Sequence, residues 1–258
     1  MSSTKVGVNA YIKNLSPLAV YTHCCSHNLN LVISHSCGND IPEIRNALDK
    51  LKAVVLKFEK SPKLEALLTV VVEKSCNANQ GKRSVLLGLC KTRWSARHLA
   101  YQRFYQHYVY IVEALEVVAL KQHLDEYPDF KDWDAKTRGE ISSLLESITS
   151  FSFIICFLIM YQYLSHLAQP TIQLQGRAVD IIQAYQTING LKSAYASERE
   201  KADEGFSKIY KTAVEMAEAV GTVPSLPRVV ARQQHRGNIS PGTAEVYYRR
   251  NVTIPFLD

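Results

Sequence analysis

Two features that direct a protein to secretion or into a membrane are missing from this sequence. Residues 1–10 hold no apolar core of the kind that signal peptides carry. The most apolar run, 151–161, has only eleven residues, which is too short for a helix that crosses a bilayer. Six cysteines are scattered along the chain, which without a secretion signal favours free thiols in a reducing compartment. We therefore predict an intracellular protein that does not bind a membrane.

The sequence also lacks the low hydrophobic content and high charge that are typical of a disordered chain. Of the 258 residues, 47% are hydrophobic and 21% are charged, which is enough apolar content for one large core or two modest ones. From residue 40 onwards, apolar residues recur at every third or fourth position, the period of helices that bury one face. A β-rich stretch at 19–22, after Pro17, predicts a short strand near the N-terminus. The predicted fold class is mainly α.

Acidic residues are missing between Gly81 and Tyr110, although the formal charge of the whole chain is only +6. Six basic residues lie in this window: Lys82, Arg83, Lys91, Arg93, Arg97 and Arg103. Six aromatic residues are interleaved with them: Trp94, Tyr101, Phe104, Tyr105, Tyr108 and Tyr110. Cations neutralise phosphates and aromatic rings stack on unpaired bases, so the window has the composition of a nucleic-acid-binding surface. A solvated basic helix whose aromatic side chains belong to the core explains the same pattern, and both interpretations stay open.

Within this window, the residues at the predicted start of a helix are the best candidates for a nucleic-acid-binding site. Arg93 and Trp94 stand just before Ser95, a residue type that caps helices, and the helical period follows. The start of a helix carries unpaired N–H groups and a partial positive charge, which suit a phosphate. We predict that Lys91, Arg93, Trp94 and Arg97 form a nucleic-acid-binding site.

A cluster of cysteine and histidine runs from His23 to His27 and is followed by His35 and Cys37. Cys24 and His27 have the spacing of zinc ligands, but the second pair is separated by one residue, which is poor for a structural zinc site. Nothing in the sequence supplies the orienting group that a cysteine nucleophile needs. We therefore expect Cys24 and His27 to be structural and largely buried, with no bound metal.

Three motifs carry a resemblance to a known family. Residues 21–32, which include Cys24, His27, Leu29 and Asn30, resemble the Cys-x-x-His-x-Leu-Asn-Leu motif of hAT transposases and their domesticated relatives. Residues 90–97 resemble the Thr-Arg-Trp-Ser motif of the same family. A third stretch, 232–258, is similar to the branch that contains the zinc finger MYM-type proteins and the repressor of the inhibitor of the protein kinase. The motifs occur in the order found in the family.

The resemblance implies a domain arrangement. The family has an RNase H-like catalytic domain that is interrupted by a long helical insertion. By this comparison, residues 1–39 are a partial RNase H-like remnant, residues 40–227 are an all-α insertion domain, and residues 228–258 are a basic, partly irregular tail that returns towards the catalytic core. The fold is then a helical domain attached to an incomplete α/β domain.

The resemblance also bears on activity. The family cleaves DNA with divalent metal ions that two aspartates and one glutamate hold, a ligand set suited to phosphoryl transfer. No residue of this chain matches any of the three, so we expect no catalytic residues, no cofactor, no small-molecule substrate and no enzymatic activity. A nuclear location is implied by the resemblance alone.

Three functions are compatible with these features. The first is a catalytically incomplete transposase-derived protein that binds nucleic acid at most. The second is a helical module that binds other proteins. The third is an active DNA transposase of which this sequence is an internal fragment. DNA binding at low salt separates the first from the second, and the genomic sequence on either side separates the third.

Replacing Trp94 and Arg93 by alanine should weaken DNA binding in different ways. Loss of Arg93 removes one phosphate contact and should weaken binding to all DNA. Loss of Trp94 should spare plain duplex but weaken DNA with an unpaired base by roughly 1–3 kcal/mol, the size of one base–aromatic stack. Titration of both DNA types with each variant measures this. If Trp94→Ala lowers the melting temperature sharply and leaves the affinity of the folded fraction unchanged, Trp94 is a packing residue.

Overall fold

The structure, a computed structural model, describes residues 6–21, 24–35, 41–76, 85–89, 94–176, 180–227 and 242–258. These ranges contain thirteen α-helices and no β-strand, so the predicted mainly α fold class is confirmed. The helices are α1 Val8–Leu15, α2 Cys25–His35, α3 Pro42–Lys60, α4 Pro62–Cys76, α5 Trp94–Gln106, α6 Tyr108–Ala119, α7 Ala135–Thr149, α8 Phe151–Leu164, α9 Ala168–Leu174, α10 Ile181–Glu200, α11 Ala202–Ala219, α12 Ala244–Tyr248 and α13 Ile254–Leu257.

Polar residues mark several helix boundaries. Asp134 caps α7 by accepting a 2.8 Å hydrogen bond from the Thr137 amide, and Asp180 caps α10 in the same way. Ser61 ends α3 and its hydroxyl accepts from the Leu64 amide, while Pro62 starts α4. These residues satisfy backbone groups that would otherwise lack partners at the helix ends.

Helix α8 occupies the centre of the molecule. Eleven of its fourteen residues are buried, because its sequence is apolar on nearly all sides. It packs against α3, α5, α7 and α11. The continuous helical stretch Phe151–Leu174 is long and apolar enough to cross a membrane, longer than the eleven residues considered from sequence, but 67% of its most apolar window is buried inside the protein. Such burial is typical of the central helix of a bundle.

Aromatic rings from α5, α6 and α8 pack together in the core. Phe104 of α5 lies 5.1 Å from Phe157 and 6.0 Å from Phe153, measured between ring centroids in edge-to-face arrangements. Tyr108 lies 6.0 Å from Phe104 and donates a hydrogen bond to the Ile148 carbonyl. Edge-to-face packing adds to the stability that burial provides, so this group ties three helices together.

The structure does not support the RNase H-like remnant predicted for residues 1–39. Within the described part of this segment, α1 and α2 flank an irregular stretch at 16–21, where a strand was predicted at 19–22. Val20 is 84% exposed. A strand needs a neighbouring strand to satisfy its backbone, and the part of the chain described here supplies none, so β propensity alone does not form one.

The end of the chain is more regular than predicted. We expected a partly irregular tail from residue 228, but residues 242–258 form α12, a π-helical turn at Arg249–Thr253, and α13. Tyr248 and Val252 are fully buried, and Tyr247 donates a 2.7 Å hydrogen bond to Glu43 of α3. Arg249 pairs with Asp203, and Arg199 pairs with Asp258. Contacts with distant helices therefore order this segment.

Helical periodicity alone does not place every apolar side chain of this protein. Leu99 follows the apolar period of α5 but is 55% exposed. In α10, Ile181, Ile182 and Tyr185 are exposed, and Ala184 and Leu191 are the buried residues. A helix buries the face that has a partner, and this is not always the most apolar face.

Replacing Phe104 by alanine should lower the free energy of unfolding by roughly 3–5 kcal/mol, since the change leaves a cavity among buried rings. Urea denaturation measures the effect. Leu99→Ala on the same helix is the matched control and should change stability by no more than about 0.5 kcal/mol, because the side chain is already largely in solvent. Equal effects of the two variants would contradict this orientation of α5.

Candidate nucleic-acid interface

The acid-free window supplies helix α5, which has two different sides. Ala100, Tyr101 and Phe104 are buried against the bundle. Arg97 and Arg103 are only half-buried. The helix therefore contributes apolar side chains to the core and keeps two arginines in partial contact with solvent. Arg97 lies in line with Tyr101 and Phe104 at the start of the helix, and Arg103 lies about 120° around the axis from that line.

The structure describes part of the predicted site. Lys91 and Arg93 lie outside the described residues, and Trp94 is described only by its backbone, which begins α5. The helix therefore starts one residue earlier than predicted, and Ser95 lies inside its first turn. Arg97, the fourth residue of α5, is on that turn, where backbone N–H groups lack helical partners. This position brings a guanidinium close to a site suited to a phosphate.

The aromatic residues of the window divide into two groups. Tyr101, Phe104 and Tyr108 are at most 1% exposed, so for these residues the core interpretation of the pattern is correct and stacking on a base is excluded. Tyr105 and Tyr110 are half-buried. The window as a whole is therefore not a stacking surface. Among its described aromatic residues, Tyr105 and Tyr110 are the ones accessible enough to contact a base.

An aromatic stack that the sequence analysis missed lies beside Arg97. The rings of His98 and Tyr161 are nearly parallel, with centroids 6.0 Å apart, and Tyr105 stacks on Tyr161 at 5.1 Å. His98 and Tyr105 are seven residues apart on one side of α5, whereas Tyr161 belongs to α8. All three side chains are half-buried. No local sequence pattern links Tyr161 to α5, because only the packing of α8 against α5 brings them together.

Two histidines of this region, His98 and His107, have lowered pKa values because their rings are partly buried. Burial lowers the pKa of His98, and burial followed by the nearby Arg103 guanidinium lowers the pKa of His107. The Nδ1 atoms of both rings are buried without a hydrogen-bond partner within the described structure. Both imidazoles are therefore neutral at pH 7, and the positive charge of α5 comes from its arginines.

Two of the helices that pack against α5, namely α8 and α9, add no negative charge, whereas a third, α6, carries Glu113 and Glu116. Helix α9 in turn contacts α2. Helices α2, α5, α8 and α9 contain no acidic residue, and apart from histidines their ionisable cations are Arg97 and Arg103. An anion that approaches this side of the molecule meets no carboxylate from these helices, which favours a phosphate-bearing ligand.

The cysteine–histidine motif lies on α2 and differs from its prediction in burial. Cys24 and His27 are exposed, so the expectation that both are largely buried is wrong. Leu29 and Asn30 are half-buried, which leaves a structural role for them as a prediction. His23 and Cys37 lie outside the described residues. Among those described, no group of three or more histidine, cysteine or acidic side chains has the geometry to hold a metal.

Comparison with known proteins gives a distant relationship. No family model and no solved structure matches the chain. The 52 kDa repressor of the inhibitor of the protein kinase from Homo sapiens is 23% identical over 243 residues, and the protein of the same name from Mus musculus is 24% identical over 242. The match covers 94% of this chain but 31% of each relative. The chain is thus similar, over nearly all its length, to about a third of these repressors.

Replacing His107 by glutamine should reduce the dependence of stability on pH between about 5.5 and 7.5. Because the folded protein lowers the pKa of His107 from its usual 6.5, the unfolded chain binds a proton first as the pH falls. The free energy of unfolding of the wild type should therefore fall as the pH falls through this range. Urea denaturation at both pH values measures the difference, and an equal difference in His107→Gln would contradict this assignment.

Proposed function

We propose that this chain is a non-catalytic helical module of a transposase-derived protein, and that it binds nucleic acid through α5. The observation that carries the proposal is the half-buried Arg97 on the first turn of α5, which is followed by His98 of an aromatic stack and belongs to a group of helices, α2, α5, α8 and α9, that contain no carboxylate. Cations and stacking rings together are the means by which proteins hold unpaired strands.

The non-catalytic part of the proposal rests on the family resemblance. No residue of this sequence matches the three metal-holding carboxylates of hAT transposases, and the similar proteins are named as repressors. By the same resemblance, the proposal includes a domesticated role in the nucleus.

Phosphate binding would use the start of α5. Arg97 lies on the first turn, and the unpaired N–H groups there add to its charge. Lys91, Arg93 and Trp94, which precede or begin the helix in the sequence, would extend the same surface. Arg103, six residues further along α5 and about a third of a turn around its axis from Arg97, would hold a second phosphate of the strand.

Base contacts would use the stack of His98, Tyr161 and Tyr105. Neutral imidazole and phenol rings have faces on which any base can stack, so this part of the surface would favour single strands without a sequence preference. Duplex DNA hides its base faces and would be held through its phosphates alone. The proposal therefore includes a preference for DNA with unpaired bases.

A second candidate function is a protein-binding module. The relatives are named for repressing an inhibitor, which is itself named as acting on a protein kinase. Several large apolar side chains on different helices are exposed, including Leu99, Ile172 and Ile181. Protein interfaces are often built from such side chains, so this candidate stands beside the first.

Replacing Arg97 by alanine should weaken binding to single-stranded DNA and reduce the slope of log affinity against log salt by about one unit for duplex, as loss of one phosphate contact does. Fluorescence anisotropy at several salt concentrations measures both quantities. Lys192→Ala, which removes an exposed cation from α10, is the matched control and should leave both nearly unchanged.

Two results would reject the nucleic-acid proposal. One is a wild-type chain that fails to bind DNA even at low salt, which would leave the protein-binding candidate. The other is an equal loss of affinity in Arg97→Ala and Lys192→Ala, which would mean that binding depends on net charge and not on α5.

A further inference from the structure

Helix α1 exposes an apolar stripe. Val8, Tyr11, Ile12 and Leu15 are 53%, 66%, 47% and 70% exposed. Their spacing of three, one and three residues places them on one side of a helix. The only buried residue of α1 is Asn9, so the usual arrangement, with the apolar face inward, is reversed here. An amphipathic helix with its apolar side in water indicates that something covers that side.

The stripe continues into the residues that follow α1. Val8 and Ile12 share a cleft with Ala19, Val20 and Tyr21. Leu18 and Val20 are 93% and 84% exposed. Together with the four residues of α1, these two side chains leave on the order of 700 Å² of mostly apolar surface open, close to the roughly 800 Å² that each partner contributes to a standard protein interface.

The stripe is also symmetric about its own centre. Positions 8 and 15 are equally far from the midpoint between Tyr11 and Ile12. When two copies of α1 lie antiparallel, Val8 faces Leu15 of the other copy, and Tyr11 faces Ile12. Each contact then occurs twice, as a two-fold interface requires.

Charge also favours a second copy over a charged partner. Lys13 is the sole charged residue between positions 6 and 21, so no charge pattern is present to select a charged ligand. Lys13 lies about 150° around the helix axis from the centre of the stripe, so neither lysine enters the interface between two paired stripes. We propose that α1 is a self-association helix, and that two copies of this chain pair antiparallel through Val8, Tyr11, Ile12 and Leu15.

Sedimentation equilibrium of the full chain over a wide concentration range tests the proposal. The wild type should form a dimer, and Leu15→Lys should weaken it at least tenfold, because two lysines would be buried per dimer. Leu120→Lys makes the same change at an exposed position at the end of α6 and should leave association unchanged. A wild type that stays monomeric, or equal effects of the two variants, would overturn the proposal.

A second substitution tests the antiparallel direction. In the double variant Val8→Glu and Leu15→Lys, an antiparallel pair places each glutamate opposite a lysine, whereas a parallel pair places like charges together. The double variant should therefore associate more tightly than Leu15→Lys alone. Weaker association of the double variant would reject the antiparallel pairing. Circular dichroism of each variant shows whether its helices are retained.

The salt dependence separates this interface from the nucleic-acid surface on α5. Apolar association should persist or strengthen as salt rises, while binding to phosphates weakens. Dimerisation that disappears at high salt would mean that the contact is electrostatic and would contradict the role of α1. The outcome does not depend on Arg97, so either proposal can fail without the other.

Discussion

The burial of α8 is the constraint on which the rest of the structure depends. A helix that is apolar on every side gains stability only when it is surrounded, and α3, α5, α7 and α11 provide that cover. Tyr248 of α12 closes one end, where its ring meets Phe151 at 5.8 Å. The C-terminal helices are therefore part of the same core and not an appendage.

The packing of other helices around α8 also positions the residues of the candidate site. Helix α5 packs its Phe104 side against the core, and this leaves His98 and Tyr105 half-buried at the border of that side. The same contact brings Tyr161 of α8 beside His98. The proposed binding surface on α5 is thus positioned by packing that stabilises the fold, which is why side chains from two helices contribute to one aromatic stack.

The two ends of the chain differ in how they meet this core. Residues 242–258 make ion pairs and a tyrosine–glutamate hydrogen bond with α3, α10 and α11, and their apolar side chains are buried. Helix α1 does the opposite, since its apolar side chains face water. Both segments are short amphipathic helices, and the difference lies in whether a complementary surface exists nearby. Self-association through α1 would supply that surface from a second copy.

The sequence by itself determined the helical class, because the helical period is a local property of the chain. The boundary between α3 and α4 is local as well, since Ser61 and Pro62 mark it. The sequence also determined that positive charge collects around residues 81–110. Only the tertiary structure decided which side of each helix is buried, as Leu99 and Ile181 show, and which aromatic residues of the basic window stay accessible. The absence of a strand at 19–21, the helical end at 242–258 and the meeting of Tyr161 with His98 depend on partners distant in sequence. These contacts form between residues that are far apart in the sequence, so no local sequence pattern predicts them.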